Sequence, residues 1–499
     1  MRGFKILTRE NPVGYEWLRE HYKLQVVERG VKSYTGGLIG AKGANERVTH
    51  GTTLQNFAAN LRPDIDCPIQ HAVFAIKREG VEISYFRCLA EIPDFTNRLV
   101  ESLKDKSTSK FLRIIWFLCE WLSGKQLPLE DCIPSPYVPV LDENKYYTCP
   151  AVNSTRHRLK NNIIGTAEYT VIVRKTNELE DTHIGSLKEQ TSAVINTWSP
   201  ALVARASRFL VSKETRSSGE IEQERFSQNK AIRFNDALLR AGKTPLSKEH
   251  LTLIHSIIKG DRAEIDYRAE QNWIGGASGV ELPTAKPEYV EDLMNGWFEL
   301  YEKLLNSNIP GPVQAGILSS TFVYIHPYMD GNGRISRYII QECLCRSEIL
   351  PDGLILPVSN GILTNIHSYY DALNEISSKI ESVTDYIEEN QQLYIETENK
   401  DFFRDLDVTN YTVWLARIMV DVATNVLPQE IDTMVFADKL YEALSAEDRL
   451  DLSAKELRLL VSTIIQNNNE LSKRKAAKLD LSLEERDFIN ELVEDFLEE

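Results

Sequence analysis

Thirteen residues, Ile325-His-Pro-Tyr-Met-Asp-Gly-Asn-Gly-Arg-Ile-Ser-Arg337, constrain this chain more than any other segment. Upstream of them, Val313, Ile317, Leu318, Phe322 and Ile325 recur at helical spacing and read as the buried stripe of a helix running from Val313 to Ile325. Pro327 disfavours helical dihedrals at the residue before it, which places His326 at the helix end, at the mouth of a loop. Asp330-Gly-Asn-Gly follows, and a second helix is expected to begin near Asn332 or Gly333. Small residues there leave backbone N–H groups uncovered at the positive end of a helix, an anion-binding nest. Arg334 and Arg337 are three apart, so both guanidinium groups emerge from one face beside it. Asp330 offers a hard oxygen suited to Mg²⁺ carried by a nucleotide's phosphates. His326, with an ordinary pKa near 6.5, can take a proton from an incoming hydroxyl. Together these groups spell phosphate-ester transfer onto a nucleophile. Asp-Gly-Asn-Gly alone is merely a good turn. With the histidine and both arginines, eight specified positions recur by chance on the order of once in 10¹⁰ starts.

The rest of the 499-residue chain supplies the setting, at about 150 residues per domain about three domains. Lys+Arg total 57 against 73 Asp+Glu, a net charge of −16, which argues against wrapping nucleic acid along a basic surface. The most apolar stretch, Phe111 to Leu122, reads as a buried helix; it contains Arg113 and Glu120 and is far shorter than the ~20 residues of a membrane span. The N-terminus has no apolar signal core, and seven scattered cysteines show no metal-like pairing, so a reduced, cytoplasmic protein is expected. Neither G-x-x-x-x-G-K-[ST] nor G-x-G-x-x-G occurs, and the glycines of Gly36 to Gly43 read as a loop. The other histidines lack H-x-x-x-H and H-E-x-x-H spacing, which speaks against zinc.

Residues 1–150 read as a mixed α/β domain, with β-rich runs across His71 to Leu89 broken by Arg78-Glu-Gly as in a hairpin. Four prolines mark Pro128 to Pro139 as a connector. From about Asn177 the pattern is helical to the end, except for Gln271 to Pro287. The last stretch, Leu481 to Glu499, reads as an amphipathic helix with an acidic face. Arg156-His-Arg-Leu-Lys160 and Lys473-Arg-Lys475 read as solvated basic runs.

The segment His326 to Arg337 resembles the signature of the Fic proteins, His-x-[Phe/Tyr]-x-[Asp/Glu]-Gly-Asn-Gly-Arg-x-x-Arg, with Tyr328 where Phe is commoner. The family transfers AMP from ATP to protein hydroxyls. The resemblance implies a mainly α fold: a helical bundle core at 245–390 with a β-hairpin flap. Before it lie the α/β domain (1–150) and a helical linker (151–244); after it comes a helical region (391–499). It implies His326 as base, Asp330 as Mg²⁺ ligand, Gly331, Asn332 and Gly333 as the cradle of the α- and β-phosphates, and Arg334 and Arg337 on the β- and γ-phosphates. Kinase-like members carry lysine where this chain has Gly333, so nucleotidyl transfer is favoured over phosphorylation. Tyr267-Arg-x-x-Gln271-Asn-Trp273-Ile274-Gly275-Gly276, with Pro283 and Pro287, resembles the family's flap, which clamps a target segment by strand addition. Ser359-Asn360 through Tyr369-Tyr-Asp-Ala-Leu373 resembles the segment that closes the bundle and the nucleoside pocket.

Many Fic proteins also carry an inhibitory helix, [Ser/Thr]-x-x-x-Glu-[Gly/Asn], whose glutamate pairs with the motif's second arginine. Ser218-Gly-Glu-Ile-Glu222 fits that pattern, and Gln223 departs from its small last residue, which would allow close approach. A carboxylate on Arg337 would keep ATP from its productive pose. The plainer alternative is that Ser217-x-x-Glu220 is a capping box that starts a helix, with Glu222 solvated. The resemblance thus implies an autoinhibited, Mg²⁺- and ATP-dependent protein adenylyltransferase whose substrate is another protein or the chain itself. Removal of AMP, with Glu222 positioning a water, and a nucleotide-sensing regulatory module stand beside it as alternatives.

Overall fold

The computed structural model describes residues 11–37, 44–49, 52–106, 108–260, 266–276, 279–390, 392–447, 449–467 and 469–498. The protein is mostly helical with a few small sheets. Its apolar side chains gather into three main cores.

The first core packs the helices Gly14–Tyr22, Ile83–Ala90, Pro93–Asp105 and Lys110–Ser123 around Phe86, Leu89, Leu99 and Trp116. A three-stranded sheet accompanies it, with Val31–Gly37 parallel and Ala44–Thr49 antiparallel to the central Thr52–Ala58. Lys110–Ser123 is the buried helix expected from its sequence. Gly36 and Gly37 end a strand instead of opening a loop, and 38–43 lie outside the described residues, as does His50. The hairpin expected over His71 to Leu89 is instead the helix Pro68–Phe74, a π-helical turn Ala75–Glu79 and the helix Ile83–Ala90. Short apolar runs fit a buried helix as well as a strand. The deciding signals are Pro68 in the first helical turn and Gly80, whose φ of 97° ends the turn. Arg156-His157-Arg158 is likewise not a solvated run. Arg156 and His157 both bind the buried Glu120 carboxylate, at 2.8 and 3.0 Å.

The second core holds the motif. Gly311–Ile325 is its central helix and is buried on all sides, not on one stripe. An all-round buried helix needs neighbours on every face, and one of them, Thr409–Asp421, comes from far downstream. A side chain at Gly316 would meet Thr412 Oγ1 at 2.8 Å, so the glycine sets how closely these two helices approach. This core therefore runs past residue 390, through Ile431. Two further departures concern strands. Residues 151–176 form short strands instead of helix, and the C-terminal part contains a hairpin, Tyr386–Glu389 with Gln392–Ile395, turning at Asn390 with φ 52°. Asp405–Asp407 also pairs in parallel with Thr170–Ile172.

The third core closes the chain, packing Leu427–Ser445, Ala454–Ile465 and Leu483–Glu498 through Leu440, Leu460, Ile464, Ile489 and Val493. The last helix is amphipathic as expected: Ile489 and Val493 are fully buried. No helix among the described residues is long and apolar enough to cross a membrane. All seven cysteines are free thiols.

The first two cores are tied by two ion pairs, one of them buried. Arg87 grips Asp405 through Nε and Nη2 at 2.5 and 2.8 Å, and the Thr170 hydroxyl donates to the same carboxylate at 2.7 Å. Arg174 pairs with Asp407 at 2.9 Å. Removing one partner of a buried pair strands the other charge, at a cost of about 3–5 kcal/mol. Asp405→Ala should therefore lower the chemical denaturation midpoint markedly, because Arg87 is only 6% exposed. An unshifted midpoint would show that the pair contributes nothing net.

Candidate active site

The helix Gly311–Ile325 ends where Pro327 requires. His326 caps it in the left-handed conformation (φ 53°, ψ 59°), its N–H still bonded to the Phe322 carbonyl at 3.0 Å. The nest helix, Asn332–Arg346, begins after Gly331 at φ 92°. Between them, the Asn332 side chain accepts from the Tyr328 N–H at 3.0 Å and donates to the Tyr328 carbonyl at 2.6 Å. Asn332 thus locks the loop with its side chain and leaves only its backbone N–H for an anion. His255, stacked on the Tyr328 ring at 4.2 Å, reaches the Asp330 carbonyl at 3.1 Å. No sequence spacing marked His255, because it comes from another helix, Lys248–Lys259.

His326 is half-buried, and its Nδ1 lies 3.0 Å from the Val323 carbonyl. A carbonyl only accepts, so Nδ1 carries the proton and Nε2 presents its lone pair. Burial, reinforced by the nearby Arg268 charge, pushes the imidazole down to about 4. At neutral pH the ring is an unprotonated acceptor.

Arg334 and Arg337 are 3% and 2% exposed. Arg337 is held by the segment read as an inhibitory helix. Its Nε donates to Ser218 Oγ at 3.0 Å, and Nη2 donates to the Ser218 carbonyl at 2.9 Å and to Glu222 Oε1 at 2.8 Å. Arg334 is held by Glu224 and, at 3.0 Å, by Asp330. Lys230 also pairs with Glu224, and Lys259 with Asp330. Glu224, Lys230 and Lys259 were not legible as site residues. Nothing in the spacing around them distinguishes them from surface charge.

Glu222 reaches into the nest itself. A Cβ on Gly333 would lie 2.3 Å from Glu222 Oε1, so only glycine admits the carboxylate there. The alternative of a helix-starting capping box does not hold. Ser217 to Glu220 lie in the last turn of a helix that starts at Pro200 under a Ser199 cap. Gln223 follows in the left-handed conformation, φ 54°, and the Glu224 N–H then bonds the Gly219 carbonyl at 2.9 Å. Position 223 is thus a helix terminator, a place where Gly or Asn sits with little strain. Farther up the same helix, Glu214 is buried and accepts from the Ser359 N–H and hydroxyl at 2.8 and 2.6 Å. Burial pushes it up to about 7.

The Asp330 carboxylate is the candidate metal ligand. It is half exposed, and no cluster of three or more His, Cys, Asp or Glu suited to a metal occurs among the described residues. A lone carboxylate fits Mg²⁺ that arrives on phosphates and keeps most of its own waters. Lys259 now occupies that carboxylate.

The flap is a hairpin of Trp273–Gly276 and Gly279–Pro283. Gly275 is obligatory, because its Cβ would sit 2.1 Å from the Gly279 carbonyl oxygen. Trp273 and Ile274 are half-buried. Gln271 braces the hairpin root through Thr284 at 2.9 Å, so its side chain serves the flap's footing. Asn272 donates to the Tyr328 carbonyl at 3.0 Å, joining flap to motif loop. Tyr369 is core, packed with Trp414, while Tyr370 is half exposed.

Residues 245–344 match the Fic/DOC family, so the chain carries a Fic/DOC domain, of a family that commonly transfers nucleotide-derived groups onto proteins. No curated protein matches the sequence. Among solved structures, a Fic family protein from Desulfovibrio desulfuricans G20 is 17% identical, with a TM-score of 0.39 over 58% of this chain and 87% of that one. A Fic domain containing signaling protein from Bacteroides thetaiotaomicron VPI-5482 is 16% identical, with a TM-score of 0.37 over 51% of this chain and 97% of that one.

Two outcomes are expected here. Gln223→Gly relieves a left-handed non-glycine residue, worth about 1 kcal/mol, and should raise the melting temperature by a few degrees. Glu214 has a folded-state pKa above its unfolded value. Its contribution to stability is therefore full below the ordinary carboxylate range and is lost as pH rises through about 7. The melting temperature of Glu214→Gln, measured from pH 5 to 9, should gain on that of the wild type as pH rises; parallel curves would refute the burial argument.

Proposed function

We propose that this protein transfers AMP from ATP to a Ser, Thr or Tyr hydroxyl of a protein, and that the segment Ser218 to Glu224 holds it inactive. The observation that carries this reading is the Glu222 carboxylate seated on Gly333 and Arg337, at the nest where a phosphate would lie. An enzyme site is favoured over a passive sensor because His326 presents a neutral Nε2, a group that phosphate binding alone does not require.

In the released state, His326 Nε2 takes the proton of the target hydroxyl. The hydroxyl oxygen bonds to the α-phosphorus, the bond from that phosphorus to the bridging oxygen breaks, and pyrophosphate leaves with the electron pair. The backbone N–H groups of Gly331 to Gly333, with Arg334 and Arg337, hold the charge on the phosphates. Asp330 would hold a Mg²⁺ brought by the nucleotide, which neutralises phosphate charge. The open edge of Trp273–Gly276, which pairs with Gly279–Pro283 alone among the described residues, suits an extended target segment.

The same carboxylates explain silence. Glu222 occupies Arg337, and Glu224 occupies Arg334 and Lys230. A charge-assisted hydrogen bond is worth roughly 1.5–3 kcal/mol, so Glu222→Gly should raise incorporation of α-labelled ATP on the order of tenfold to a hundredfold. Arg337→Ala should not activate, and the double variant should match Arg337→Ala, because both residues act through one contact. Adding His326→Ala to Glu222→Gly should lose roughly 10²–10⁴ in rate with ATP affinity within a few-fold. Full labelling by that variant would refute the base. Release of AMP from a modified protein, dependent on Glu222, would instead assign the removal reaction to this site.

A further inference from the structure

Arg268 is one of the most constrained charges in the protein. It is 3% exposed and belongs to the segment that leads into the flap. Four hydrogen bonds hold it, all to backbone carbonyls. Its own N–H donates to the Pro327 carbonyl at 2.9 Å, and its Nε donates to the His326 carbonyl at 2.9 Å. Its Nη1 donates to Glu270 at 3.1 Å and its Nη2 to Ala285 at 2.5 Å. Glu270 precedes the first flap strand and Ala285 follows the second, so one guanidinium ties both flap roots to the residue read as the base. No carboxylate pairs with Arg268 among the described residues. Burial alone acts on it, pulling it down to about 10.

A buried arginine without a counter-ion is costly, and a purely structural tie between carbonyls is available to neutral donors. What the charge adds is felt next door. The His326 ring faces Arg268 from the flap root, Glu222 from the inhibitory segment and Asp330 from the motif loop. Of these three, only Arg268 favours the neutral imidazole. The geometry is as specific as the charge. His326 adopts a left-handed backbone, rare for a residue with a side chain. The bond to its carbonyl holds that turn, and the turn sets where Nε2 points.

We propose that Arg268 is the positioning residue of the base. It fixes the His326 turn, adds its charge to the burial that favours the unprotonated imidazole, and couples the seating of an extended protein segment on the flap to the alignment of Nε2. The inference rests on the reading of His326 as the base, and the test keeps the two apart.

The full chain, with and without Glu222→Gly, is compared as Arg268, Arg268→Lys and Arg268→Gln. Two readouts are taken: α-labelled ATP transfer across pH, and His326 titration by NMR, which needs neither nucleotide nor turnover. Arg268→Lys keeps the charge and loses the fork. It should lower kcat on the order of tenfold or more at near-unchanged KM for ATP, with His326 still titrating near 4. Arg268→Gln should raise the His326 titration, and with it the acid limb of the rate, part of the way back, since burial remains. A folded Arg268→Gln with unmoved His326 titration and wild-type kcat would overturn the proposal. So would loss of the fold in both variants, which would make Arg268 a framework residue only. If His326→Ala transfers AMP normally while the Arg268 variants still shift the His326 titration, it is the base assignment that falls.

Discussion

Arg334 and Arg337 are nearly inaccessible to water at the start of one helix, and a desolvated cation without an anion is among the costliest arrangements a protein can hold. That cost has to be met by anions in the surrounding structure. Here three carboxylates meet it: Glu222 on Arg337, Glu224 on Arg334, and Asp330 shared between Arg334 and Lys259. These ion pairs are what leaves the two buried guanidinium groups compensated.

This charge network stands on an apolar frame. The helix Gly311–Ile325 is buried on every face, and the helix Thr409–Asp421 closes the last of them at Gly316. The frame also reaches back to the N-terminal core through Arg87–Asp405 and Arg174–Asp407. Glu214, on the helix that delivers Ser218 and Glu222, is seated on Ser359 in the same core. The segment Ser218 to Glu224 is therefore anchored at two levels: by a buried carboxylate one turn above Ser218 and by the arginine clasp at its end.

The flap and the motif loop form one unit. Arg268 and Asn272 bond to carbonyls of His326 and Tyr328, so the hairpin cannot shift without moving the residues that follow the helix Gly311–Ile325. Gly275 and Gly333 serve close approach in the two halves of that unit, one for the neighbouring strand and one for a carboxylate.

Local rules determined the heart of the site from sequence alone. Pro327 ends one helix at His326, glycine at 331 precedes the next, and the three-residue spacing of Arg334 and Arg337 sets both on one face, because each of these effects acts within a turn of chain. Ser218 and Glu222 were legible only through family resemblance. They meet Arg337 across more than a hundred residues, and such a contact leaves no period in the sequence. Tertiary structure decided the rest. His71 to Leu89 is helical where a hairpin was expected, because short apolar runs fit a buried helix as well as a strand. Gln223 proved to be a helix terminator, and Glu224, Lys230 and Lys259 became site residues only when separate helices brought them to the nest. Their chemistry was written in the sequence; their neighbours were set by packing, which no single stretch of chain encodes.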